Sequence, residues 1–129
     1  MTIKSVLLFA LFLASTPIIA IAQEDPFQNS LKRIAEITLN LNHFPSDAEK
    51  KELGKIMNNE TLSDQLRSIA HALYNIRHSA TKTDKKLLEK IANDADIELS
   101  IRNVASILKN LNHQASRDDK VLLRGIINS

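Results

Sequence analysis

The chain repeats itself. Segments beginning at Pro26, Thr61 and Asp96 superpose without a gap at a period of 35 residues. Identical residues recur at Ala35/Ala70/Ala105, Asn40/Asn75/Asn110, His43/His78/His113, Lys50/Lys85/Lys120, Leu53/Leu88/Leu123, Ile56/Ile91/Ile126 and Asn58/Asn93/Asn128. Apolar matches such as Leu31/Leu66/Ile101 and Ile34/Ile69/Val104 fill in between. A supersecondary unit copied at this period cannot bury its apolar face alone, so neighbouring copies must share a core. Three copies are about the minimum for such sharing.

Each unit reads as a helical hairpin. In the first helix, Leu31, Ile34, Ala35 and Leu41 and their copies form one apolar stripe at helical spacing. Its start is marked by Asp25 before Pro26, by Thr61 with Asp64 three residues on, and by Asp94 or Asp96 in the third unit. The second helix opens with Ser46-x-x-Glu49, Thr81-x-x-Asp84 and Ser116-x-x-Asp119, each a hydroxyl followed by a carboxylate in the pattern of a capping box. Asn58, Asn93 and Asn128 fall where those helices should stop, and Asn tolerates a left-handed terminal conformation. The pattern predicts helices at about 26–43, 46–57, 61–78, 81–92, 96–113 and 116–127. With only two Gly and three Pro, the chain lacks the punctuation of a turn-rich β fold. The expected fold is therefore all-α: three stacked helical hairpins, as a short α-solenoid-like array or a compact six-helix bundle. The period approaches that of tetratricopeptide arrays, but no unit carries their tryptophan, glycine and tyrosine signature.

The first 22 residues stand outside the repeat. Lys4 precedes a compact apolar run from Val6 to Ala14, and Ala20-Ile21-Ala22 offers small residues at the −3 and −1 positions before Gln23, the pattern of a cleaved export signal. The run is shorter than the roughly 20 apolar residues of a membrane-spanning helix. The reading is a signal over residues 1–22 and one all-α domain over 23–129, divided into units 26–60, 61–95 and 96–129. Export places the domain in a periplasm or outside the cell. Losing Lys4 and no acid, the exported domain carries a net +1, too little to imply a nucleic-acid partner. It has no cysteine, which excludes disulfides, thiolate metal sites and a cysteine nucleophile.

Recurring polar residues are the candidates for function. Three equivalent histidines, His43, His78 and His113, suggest zinc or copper, because imidazole is the commonest metal ligand. In stacked repeats, equivalent residues lie about 8–10 Å apart or more, too far to share one ion; only a closed threefold bundle gathers the rings at its axis. The expected role is thus structural, each histidine packing at the carbonyl end of its own first helix. Asn40, Asn75 and Asn110 lie opposite the apolar stripe, facing solvent or hydrogen-bonded to a neighbouring hairpin. With Lys32, Arg67 and Arg102 they are candidates for a polar ladder that binds a protein partner. Lys50, Lys85 and Lys120 read as a solvated face. Tyr74 and His71 break the repeat in the central unit, and Tyr74 is a candidate contact anchor.

No phosphate loop, nucleophile elbow, zinc-protease motif or cofactor fingerprint occurs. The sequence is read as an exported, non-enzymatic helical-repeat interaction module without a cofactor and without a membrane span after cleavage, serving an envelope assembly, secretion apparatus or host interaction. The alternative is a small periplasmic metal-binding protein that uses the repeated histidines. Expression with its signal in a bacterial host is expected to yield a secreted chain beginning at Gln23, read by intact mass; a retained Met1 or Thr2 terminus would count against cleavage.

Overall fold

The structure, a computed structural model, describes residues 13–15 and 17–129. Most of the apolar core expected of the signal therefore lies outside the described residues. Residues 17–25 form no regular element, and Ile18, Ile19 and Ile21 are exposed. No described helix is long and apolar enough to cross a membrane.

Six helices follow: α1 (Pro26–Asn40), α2 (Asp47–Met57), α3 (Asp64–Tyr74), α4 (Lys82–Asn93), α5 (Leu99–Asn110) and α6 (Arg117–Ile127). The capping signals of the second helices act as expected. Ser46 Oγ accepts from the Glu49 N–H (3.2 Å) while the Ser46 N–H donates to Glu49 Oε2 (2.8 Å). Ser116 and Asp119 repeat this exchange at 3.1 Å in both directions. Thr81 Oγ1 accepts from the Asp84 N–H (3.1 Å) and donates to Asp84 Oδ2 (2.8 Å), which satisfies a carboxylate that is otherwise buried.

Three details depart from the sequence pattern. Thr61, Asp94 and Asp96 do not cap α3 and α5. Asn59 Oδ1 takes both the Thr61 N–H and its hydroxyl, Asp94 Oδ1 takes the Asp96 N–H, and the helices begin three residues beyond Thr61 and Asp96. Ser63 caps α3, and α5 starts after Glu98 with no side-chain cap. Asn58 and Asn128 end their helices with φ of −93° and −94°, so they do not use the left-handed conformation. Finally, α1, α3 and α5 stop at Asn40, Tyr74 and Asn110, well short of the histidines, which stand in the turns that follow.

Between the stacked array and the closed bundle, the chain adopts the bundle. Helices α1, α3 and α5 pack against one another as an inner trio, whereas α2, α4 and α6 each lie outside and do not touch one another. Each outer helix packs most extensively on the first helix of the following unit, α2 on α3 and α4 on α5. Helix α6 completes the circuit by packing on α1, and Lys32 Nζ reaches the Ser129 carbonyl at 2.7 Å across the same seam. The repeated apolar positions all enter one core: Leu31/Leu66/Ile101, Ile34/Ile69/Val104, Ala35/Ala70/Ala105 and Leu53/Leu88/Leu123 are buried in every unit.

Polar ties on the surface are specific to single units. Arg33 grips Glu52 with two hydrogen bonds (2.5 and 2.9 Å) and also meets Glu36 (2.9 Å). This contact holds the Glu52 carboxyl below its usual range and raises Arg33 further. Both side chains remain more than a third exposed, so solvent screens the pair and the fold rests on its apolar core.

Because one core spans all three units, Leu66→Ala is expected to lower stability by about 2–5 kcal/mol in a single cooperative urea transition. Val121→Ala, at a residue 63% exposed, should stay within about 0.5 kcal/mol.

Candidate metal centre

The three first helices end at the same end of the bundle, and the chain leaves α1 and α5 through the extended Leu41 and Leu111 and α3 through Asn75, which stays helical. It then reverses at His43, His78 and His113. Their φ angles are 75°, 68° and 64°, the only positive values among the described residues. Around His43 the Phe44 N–H closes onto the Asn42 carbonyl at 3.0 Å, and the Gln114 N–H does the same to Asn112 at 2.8 Å, making three-residue turns with histidine at the apex.

The same histidines join the units. The His43 N–H donates to the His113 carbonyl (2.8 Å), the His113 N–H to the His78 carbonyl (2.6 Å), and the His78 N–H to the His43 carbonyl (2.7 Å). This cyclic set pairs three donors with three acceptors and fixes the register of the units. Of the two places expected for the repeated asparagines, the bond to a neighbouring hairpin is not made by Asn40 or Asn110. Asn40 and Asn110 donate to the carbonyls of Glu36 and Ser106 in their own helices at 3.0 Å, and Asn75 lies against His71.

Closure also removes the geometric objection to a shared ligand. The imidazole centroids stand 4.9 Å (His43–His78), 4.9 Å (His43–His113) and 4.8 Å (His78–His113) apart, each pair edge to face. One ring nitrogen from each lies within 4.8 Å of the others, and no other such trio of His, Cys, Asp or Glu occurs among the described residues. Two nitrogens bound tetrahedrally at about 2.0–2.1 Å from zinc sit about 3.3 Å apart. His78 Nδ1 and His113 Nδ1 are 3.0 Å apart, close to that spacing. His43 Nδ1 is bonded to Asn42 Oδ1 at 2.6 Å, which makes Nδ1 the protonated nitrogen and leaves the Nε2 lone pair bare. His43 is half-buried and the other two are exposed, so the site opens to solvent.

The remaining sequence candidates do not meet at one place. Lys32 is held by the Ser129 carbonyl, Arg67 pairs with Asp64, and Arg102 lies half-buried with its Nε unpartnered. Around a closed ring these equivalent positions circle an axis and form no ladder. Tyr74, 37% exposed, lies under Lys50, whose Nζ is 5.6 Å from the ring centroid, so it ties the first unit to the second. His71 faces the buried Asp84 at 3.6 Å. Phe44 and Arg77, beside the histidines, escaped the sequence reading. They replace Ser79/Gln114 and Asn42/Asn112, so the same search for repeat-breaking residues that found Tyr74 would have found them.

A left-handed backbone costs a residue with a Cβ roughly 1–2 kcal/mol, and glycine avoids that cost. Histidine is, with Asn and Asp, among the side chains enriched at positive φ, yet glycine would hold these apices at no such cost. In metal-free buffer His78→Gly is expected to keep stability within about 1 kcal/mol of the parent or above it, by urea denaturation, while β-branched His78→Val should lose more. No family model, curated protein or solved structure matches the chain, so the chemistry of the site rests on its own geometry.

Proposed function

We propose that the protein is an exported metal-binding protein that holds one zinc or copper ion on His43, His78 and His113. The observation that carries this reading is the convergence of three imidazoles at backbone positions better suited to glycine. Neutral nitrogen donors without thiolate or carboxylate among them favour borderline transition metals over calcium or magnesium. Three protein ligands leave a further position for water or another ligand. Export rests on the sequence of residues 1–22. The role is to hold and hand over metal in the periplasm or outside the cell. A protein partner, as donor or acceptor of the ion, would approach the open histidine face.

Calorimetric titration of the mature protein with zinc, and separately with copper(II), is expected to show one saturable site per chain, absent in His78→Ala. Protons compete for the same lone pairs, so binding should weaken from about pH 7.5 to about pH 5. Absence of saturable binding by either ion would return the histidines to a structural role.

A further inference from the structure

Beside the histidine trio the three units differ in sequence, and three of their differences meet at one seam. Phe44 stands where the other units have Ser79 and Gln114, and Arg77 where they have Asn42 and Asn112. Tyr74 stands where they have Leu39 and Lys109. These departures come from two different units yet collect at the seam between the first and the second. Phe44, Lys50, Arg77 and His78 line an open pocket of about 320 Å³, and Tyr74 carries Lys50 over its ring at that edge. Closing the ring does not require them, because the other two seams close without them.

The chemistry of the pocket is that of an anion site with a flat apolar wall. Neither Lys50 nor Arg77 forms an ion pair among the described residues. Phe44 is 58% exposed, although burial would repay an aromatic ring of that size. His78 belongs both to the pocket and to the histidine trio. Through His78, a ligand in the pocket stands beside the histidine trio.

Resting on the metal-binding reading, we propose that this pocket takes a small aromatic carboxylate whose carboxylate oxygen becomes the fourth ligand of the bound ion. The guanidinium of Arg77 pairs with the second carboxylate oxygen, Lys50 adds a second positive charge, and the ring lies against Phe44. The volume sits at the small end of the range for small-molecule sites, about 300–1,000 Å³, which suits a single-ring acid. The pocket beside Gln114 and Lys120 of the third unit carries the guanidinium groups of Arg117 and Arg124 but no aromatic ring, and Ser79 gives the second unit none at that position, so the aromatic wall is confined to the first seam.

The test uses the mature protein loaded with cobalt(II), whose visible absorption reports its coordination, titrated with benzoate. One benzoate per chain is expected to alter the cobalt spectrum, with weaker binding of acetate and of benzoate to metal-free protein. Arg77→Asn and Phe44→Ser install residues that the other units carry at these positions. Both should retain stoichiometric cobalt and weaken benzoate by about tenfold or more. Benzoate affinity unchanged in both variants, equal affinity for metal-free protein, or no benzoate binding to the cobalt protein would each overturn the proposal while leaving the metal site standing. Failure of the parent protein to bind cobalt, zinc or copper would overturn the metal reading itself and this proposal with it.

Discussion

The cyclic exchange of backbone hydrogen bonds among His43, His78 and His113 is the constraint on which the architecture turns. Each histidine N–H has its acceptor in another unit, and each carbonyl has its donor in the remaining one. An open stack of the same units would strand one donor and one acceptor at its ends, and unpaired backbone groups are expensive to shield from water. The packing of α6 on α1 and the hydrogen-bonded ring therefore require each other. Three such bonds, each worth about 1 kcal/mol net, are of the same size as the strain of three left-handed residues. The turn holds its unusual backbone because the circle is complete.

Sequence periodicity is enough to find the six helices, the capping residues of α2, α4 and α6, and the buried stripe. All of these are local or follow from the 3.6-residue period, and local rules report them well. What periodicity does not carry is the relation between units. A stacked array and a closed circle bury the same repeated residues, Leu31, Ile34 and Leu53 and their copies, and differ only in whether the last helix meets the first. The overlong extrapolation of α1, α3 and α5 has the same origin. Leu41, Ile76 and Leu111 continue the apolar stripe and are buried, but they do so from an extended backbone beyond the helix end.

The histidines show how a wrong distance follows from a sound rule. Helix-packing separations of about 8–10 Å do hold between neighbouring helices. The imidazoles instead sit on turns that converge, at about half that spacing, past the ends of the inner helices. Of the two places open to the asparagines, Asn40 and Asn110 take the solvent side. Invariance among the units pointed to a role between them, whereas a side-chain bond back to Glu36 or Ser106 serves only the last turn of its own helix. A residue that recurs in every unit can be answering the same local need three times.

The interlocked packing, in which each outer helix leans on the unit that follows it, ties chemistry to copy number. In a circle of this kind the number of imidazoles facing the axis equals the number of units encoded in the chain. Duplication of one unit would have to widen the circle or break it, and loss of one would leave two histidines and an unclosed core. The stoichiometry of the donor set is thus written as a repeat count, and the room for difference lies in substitution within units, as at Phe44 and Arg77, which differ from their counterparts.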